Sequence, residues 1–171
     1  MTEAGTLWLD YPSVGGPCPA LAVKTEPEKP DYYYRHSVWI EGGRGWPWVA
    51  ASGARGLRRL TLSGLREDLT FTVRLTFADP DHADAGKRVF DVRLQGETVL
   101  AGLDIARESG GRLRSLVKEI GGRKSDGTLT VELVPQVGEP VLSGIEVVAD
   151  GLPLDAIPTI EKHSTQCLSR P

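Results

Sequence analysis

Charge is not concentrated anywhere in this sequence. No block of like charges occurs in its 171 residues, and the formal net charge is −3. Nucleic acid is excluded as the main partner, because phosphate contacts need clustered Lys and Arg. The nearest basic run, Arg55-Gly56-Leu57-Arg58-Arg59, reads as a solvated strand edge or turn. No stretch reaches the ~20 apolar residues of a membrane-spanning helix, so no membrane span is expected. Met1-Thr2-Glu3-Ala4-Gly5 lacks the basic start and apolar run of a secretion signal. Localisation is therefore unknown, and a parent protein carrying this piece fits a periplasmic or extracellular setting.

Cysteine is scarce. Cys18 and Cys167 lie near opposite ends, and no group of Cys and His large enough to form a four-ligand site surrounds either, so a structural zinc site is not expected. Their pairing is not fixed by spacing, and two unpaired thiols is the preferred reading. Catalytic signatures are also missing. There is no Gly-rich phosphate loop, dinucleotide fingerprint or Gly-x-Ser-x-Gly elbow. The adjacency of His36 and Ser37 makes no dyad. Glu67, Asp68 and the scattered acids form a glycosidase pair only if folding sets two of them about 5–9 Å apart in a cleft. No enzyme is expected.

What is present is β patterning punctuated by 20 Gly and 12 Pro. Phe71, Val73, Leu75 and Phe77 alternate with Thr72, Arg74 and Thr76, the period-two mark of a strand buried on one face. Leu60 and Leu62, then Phe90, Val92 and Leu94, then Leu129, Val131 and Leu133, then Ile145 and Val147 repeat it. Residues 1–31 read as loop, with Glu26-Pro27-Glu28-Lys29-Pro30 an extended spacer. Tyr32–Ile40 reads as a strand or ordered loop, and Gly42-Gly43-Arg44-Gly45 as a turn. Only Asp104–Ile120 admits helix, and Gly110-Gly111 limits that to a short turn. Many short strands predict an all-β, two-sheet antiparallel jelly-roll β-sandwich with little helix. It spans 1–150 as a single domain, with 1–56 an aromatic-rich N-terminal extension packed on it and 151–171 a tail that covers the sandwich or frays.

The run Phe71-Thr72-Val73-Arg74-Leu75-Thr76-Phe77-Ala78-Asp79 resembles a malectin-domain strand reading YTVRLHFAE. Arg88-Val89-Phe90-Asp91-Val92-Arg93-Leu94-Gln95-Gly96-Glu97 is similar to RVFDVYINGK. Val99-Leu100 and Leu103-Asp104-Ile105, Gly127 to Leu133, and Ser143-Gly144-Ile145-Glu146-Val147 continue the order. The resemblance implies a galactose-binding-like sandwich that recognises sugar through loops at one end. It also implies tyrosines before the first strand, an aromatic pair in the loop after it, and an acid before the last strand. Here the loop after Asp79 has no aromatic, and Glu139 stands for the acid. Residues 5–60 also resemble the flank seen where bacteria fuse this module to larger proteins.

Sugar recognition pairs flat apolar rings with planar polar groups. Eight of the eleven aromatics lie before Ala50, counting Trp8, Tyr11 and Trp39. The residues expected to meet a glycan are Tyr32, Tyr33, Tyr34, His36, Trp46, Trp48, Asp79, Asp81, His82 and Glu139. For most of the aromatics the plainer reading is packing of an N-terminal flap over the sandwich. Asp79, Asp81, His82 and Asp84 offer hard donors for structural calcium or contacts to hydroxyls, against the preferred reading of a solvated polar loop with no cofactor. The function expected is a non-catalytic carbohydrate-binding module for an oligosaccharide or polysaccharide. The alternative is a structural or protein-docking module serving other modules of a larger bacterial protein.

Overall fold

A computed structural model describes residues 11–12, 21–152 and 156–160. Trp8, Cys18 and Cys167 lie outside the described residues. In chain order the strands are β1 (Ala22–Glu26), β2 (Asp31–Tyr34), β3 (Gly42–Arg44), β4 (Ser52–Arg55), β5 (Arg59–Ser63), β6 (Thr70–Phe77), β7 (Val89–Leu94), β8 (Glu97–Asp104), β9 (Arg114–Lys124), β10 (Thr128–Val137), β11 (Val141–Leu142), β12 (Gly144–Ala149) and β13 (Thr159–Ile160). Two short helices, α1 (Pro47–Ala50) and α2 (Ile105–Ser109), complete the set.

Each alternating segment forms the strand its period predicts, and its apolar face meets the facing sheet. One sheet runs β1-β5-β10-β7-β8, and the other runs β12-β6-β9-β3-β13. Between them lie Leu60, Leu62, Val73, Leu75, Phe77, Phe90, Val92, Leu94, Leu129, Val131 and Leu133, all buried in one cluster. Phe77 and Phe90 meet with ring centroids 5.9 Å apart. Burying one such side chain contributes roughly 1.5–3 kcal/mol, so this layer is the main stabilising feature. The result is the expected all-β sandwich. A third sheet, β11-β4-β2, joins the N-terminal segment to the strand before β12.

The outer faces carry rows of opposite charge across neighbouring strands. Glu26, Arg59 and Glu132 stand in register on β1, β5 and β10, with Arg59 2.8 Å from Glu26 and 2.7 Å from Glu132. Glu146, Arg74 and Glu119 do the same on β12, β6 and β9. Arg74 donates to Glu119 at 2.7 Å and Glu146 at 3.3 Å and is buried. A one-residue slip would bring each acid to the wrong face, so these rows reinforce the register.

Three local expectations are corrected. Residues 22–26, expected as loop, form β1 because Thr25 is buried, Val23 packs on the core and Glu26 reaches Arg59. Gly42–Arg44, expected as a turn, is a strand parallel to β9. A Cβ on Gly43 would lie 2.0 Å from the Ser115 carbonyl oxygen, and its φ is +104°. Glycine permits both the close approach and the backbone angle. The helical window is short as expected, with Asp104 accepting from the Arg107 N–H and Gly110 closing α2 at φ 83°. Its second half, however, is the long strand β9, which pairs along the whole of β6. Trp46-Pro47-Trp48 opens α1, with Pro47 at a first-turn position where no N–H is needed. Beyond residue 150, the described segment 156–160 lies on the second sheet: β13 pairs with β3, and Pro158 accepts from the Gly45 N–H.

Candidate functional site at the loop end

Strand β6 ends at Phe77, and the chain turns at Asp79. Asp79 is fully buried, so the solvated-loop expectation fails there, while it holds from Asp81 to Lys87, exposed apart from half-buried His82. A buried carboxylate must be compensated. Arg88, 3% exposed, donates from Nε to Asp79 Oδ2 at 2.9 Å. The backbone N–H groups of Asp81 and His82 donate to Asp79 Oδ1 at 2.9 and 3.0 Å. His82 Nδ1 lies 3.3 Å from Asp79 Oδ2.

Arg88 also ties separate segments together. Its Nη2 donates to Asp81 at 2.7 Å, and its Nη1 donates to the Glu139 carbonyl at 2.8 Å. Asp81 in turn accepts a bidentate pair from Arg55 on β4, at 3.1 and 3.0 Å. Arg55 also pairs with Asp31 on β2. Arg58 donates to both Glu139 carboxylate oxygens, at 3.1 and 2.9 Å. The basic run at 55–59 is thus a set of guanidiniums that each hold an acid.

Beneath Arg55 lies Tyr33, whose ring centroid is 5.8 Å from the guanidinium carbon. Its hydroxyl donates to the Ala78 carbonyl at 3.3 Å and sits 3.4 Å from Ser143 Oγ. Burial pushes the phenol up to about 12, opposed by the Ser143 contact and by Arg88.

Of the ten residues selected from sequence, Tyr33, Asp79, Asp81, His82 and Glu139 converge here. The other five do not. Tyr32 faces Tyr11, with ring centroids 6.3 Å apart, and burial raises its phenol pKa. His36 caps the 3-10 turn Ser37–Trp39, accepting from the Val38 N–H at 3.2 Å. Trp46 lines a shallow pocket on the outer second sheet with Arg74, Glu146, Ile157 and Pro158. Tyr34 and Trp48 are exposed, as are Val38 and Trp39, and Arg35 lies over the Trp39 ring at 5.7 Å. Sequence reasoning missed Asp31, Arg55, Arg58 and Arg88. The signal for them was faint: three arginines within one short run, and one arginine opening the RVFDV block.

The calcium reading fares poorly on this geometry. Donor atoms of Asp79, Asp81 and His82 lie within 4.8 Å of one another. Arg88 bridges the two carboxylates, though, and supplies the positive charge a cation would bring. Both Asp79 oxygens already accept hydrogen bonds.

Among the described residues no helix is long and apolar enough to cross a membrane. Residues 59–145 match the family described as Malectin domain. Receptor-like protein 4 of Arabidopsis thaliana is 41% identical over 80 residues, covering 45% of this chain and 13% of that protein. Two solved structures share the fold. A Bacteroides uniformis β-glucuronidase has a TM-score of 0.58 at 15% identity, over 71% of this chain and 14% of that one. The plant receptor FER, solved with the peptide RALF23 and LLG2, has a TM-score of 0.53 at 18% identity, over 60% of this chain and 32% of that one. The chain therefore spans only a small part of the proteins it matches. With the ordered strand blocks, the two-sheet sandwich and the match over half its length, this chain belongs to the malectin domain family.

Proposed function

We propose that this is a non-catalytic glycan-binding module of a longer bacterial protein, with its sugar site at the loop end. One observation carries the reading. Asp31, Arg55, Asp81, Arg58 and Glu139 are held by mutual pairing in fixed planar geometry while keeping solvent access. Such groups can bridge adjacent sugar hydroxyls without being reordered on binding, which limits the entropic cost of association. Calorimetric titration of neutral and acidic oligosaccharides tests it. Binding should appear with at least one glycan and fall about tenfold or more in Arg55→Ala, consistent with a central anchor. Loss in Trp48→Ala with Arg55→Ala unaffected would move the site to the aromatic surface instead.

A second reading, docking of a protein partner, is favoured by the exposure of Tyr34, Val38, Trp39 and Trp48, because exposed aromatics are enriched at interfaces. It expects Trp39→Ala to weaken assembly with neighbouring modules while leaving any sugar binding unchanged. The two readings use different surfaces, so the same two variants separate them.

A further inference from the structure

We infer that the loop-end site selects uncharged glycans and rejects acidic ones, with Asp31 and Glu139 as the residues that set this preference. The inference rests on the glycan-binding reading above and adds the chemical class of the ligand. Arginine recognises a uronate or sulfate through a planar fork of free N–H groups. Arg55 and Arg88 have that fork engaged by the protein's own carboxylates, and Arg58 commits its Nη2 to both oxygens of Glu139. Arg55 is bidentate on Asp81 and paired with Asp31, Arg58 chelates Glu139, and Arg88 spans Asp79 and Asp81. An acidic sugar would have to displace a carboxylate that is tethered in place.

The local charge points the same way. Four carboxylates, Asp31, Asp79, Asp81 and Glu139, face three guanidiniums. Asp84 and Lys87 in the same loop cancel each other. An approaching anion therefore meets a surplus of negative charge, a like-charge arrangement that suppresses the wrong ligand. The surplus is also the most accessible part of the site: the Asp31 and Glu139 side chains are 62% and 55% exposed, against 3% for Arg88. Sugar hydroxyls, which donate to carboxylates and accept from guanidiniums, can join these pairs without breaking them. Asp31 comes from β2, outside the family-matched span 59–145, so this selectivity belongs to the N-terminal segment as much as to the shared core.

The test uses the whole chain and matched ligands: cello- and galacto-oligosaccharides, each beside its C6-oxidised uronate form. Binding is read by calorimetry at low and high salt. The neutral member of the bound pair should win by about tenfold, and the gap should narrow in high salt because the charges concerned are exposed. In Asp31→Asn combined with Glu139→Gln, two exposed acids become neutral, Arg58 loses its carboxylate partner and Arg55 keeps only Asp81. The ratio of uronate to neutral binding should then rise about tenfold, while neutral binding itself weakens because two carboxylate acceptors for sugar hydroxyls are gone. Circular dichroism melting confirms that the variant folds, and if it does not, each single substitution is titrated instead. Equal or tighter uronate binding by the unaltered chain overturns the inference and leaves the glycan-binding reading standing. An unchanged preference in the folded variant also overturns it, by removing Asp31 and Glu139 as its cause. Failure to bind any member of the panel counts against the glycan-binding reading itself and takes the inference with it.

Discussion

Tyr33 and Tyr34 are neighbours on β2, yet one lies under Arg55 at the loop end and the other is 71% exposed in a segment that also shows Val38 and Trp39. The two surfaces invert the usual distribution. At the loop end, a carboxylate and an arginine are buried. On the other surface, large aromatics face water. Buried charge and exposed apolar groups are the informative departures from ordinary burial, whereas buried leucines are not. The loop end gains order from mutual pairing, so its groups depend on one another. The aromatic surface gains little from its own exposure, so its residues should be individually dispensable for folding.

The sharpest way to break this comparison is Arg88→Ala. It leaves Asp79 buried without its partner, and breaking a buried pair costs roughly 3–5 kcal/mol. Urea denaturation should show the loss, and Arg88→Lys should recover only part of it because one ammonium cannot reach Asp79, Asp81 and the Glu139 carbonyl together. A small change in Arg88→Ala would mean that the network is ornamental.

A smaller effect is expected from Tyr33 at alkaline pH. Its folded phenol titrates near 12, above the ordinary value of 10.0. Below the ordinary value both folded and unfolded chains hold the proton, and stability is fully present. As pH rises through this window the unfolded chain releases its proton first, and stability falls by about 2–3 kcal/mol. Thermal melts from pH 9 to 12 should show a slope that Tyr33→Phe flattens. An equal slope in that variant would assign the loss to other groups.

The smallest effect belongs to the exposed surface. Trp39→Ala should shift stability by less than about 1 kcal/mol, the size of an exposed cation–π contact with Arg35. A loss as large as that of Arg88→Ala would show that the aromatic surface is structural and erase the contrast.

The core was legible for a simple reason: one buried sheet face imposes a period of two, and Phe71 to Phe77, Phe90 to Leu94 and Leu129 to Leu133 obey it. Asp104 and Gly110 likewise announced α2, because capping is a local interaction. Half of the candidate site could also be named, since Asp79, Asp81 and His82 share one loop and Tyr33 is the middle of an aromatic run. Strand β3 was hidden, because its glycines look like a turn until Ser115 is seen packed against them. The partners of the site residues were hidden too. Nothing local links Arg88 to Glu139, or Arg55 to Asp31 and Asp81, and such pairs exist only once separate strands reach one edge.

The sequence by itself determined the alternation, the order of the strand blocks and hence the malectin-type sandwich, because these depend on side chains a few residues apart. Tertiary structure alone decided which charges meet. Arg74 finds Glu119 and Glu146, and Arg88 finds the Glu139 carbonyl, through strand pairing and loop closure over long sequence separations. It also split the aromatics into buried and exposed sets, because consecutive residues on a strand point to opposite sides and only packing fixes which side is wet.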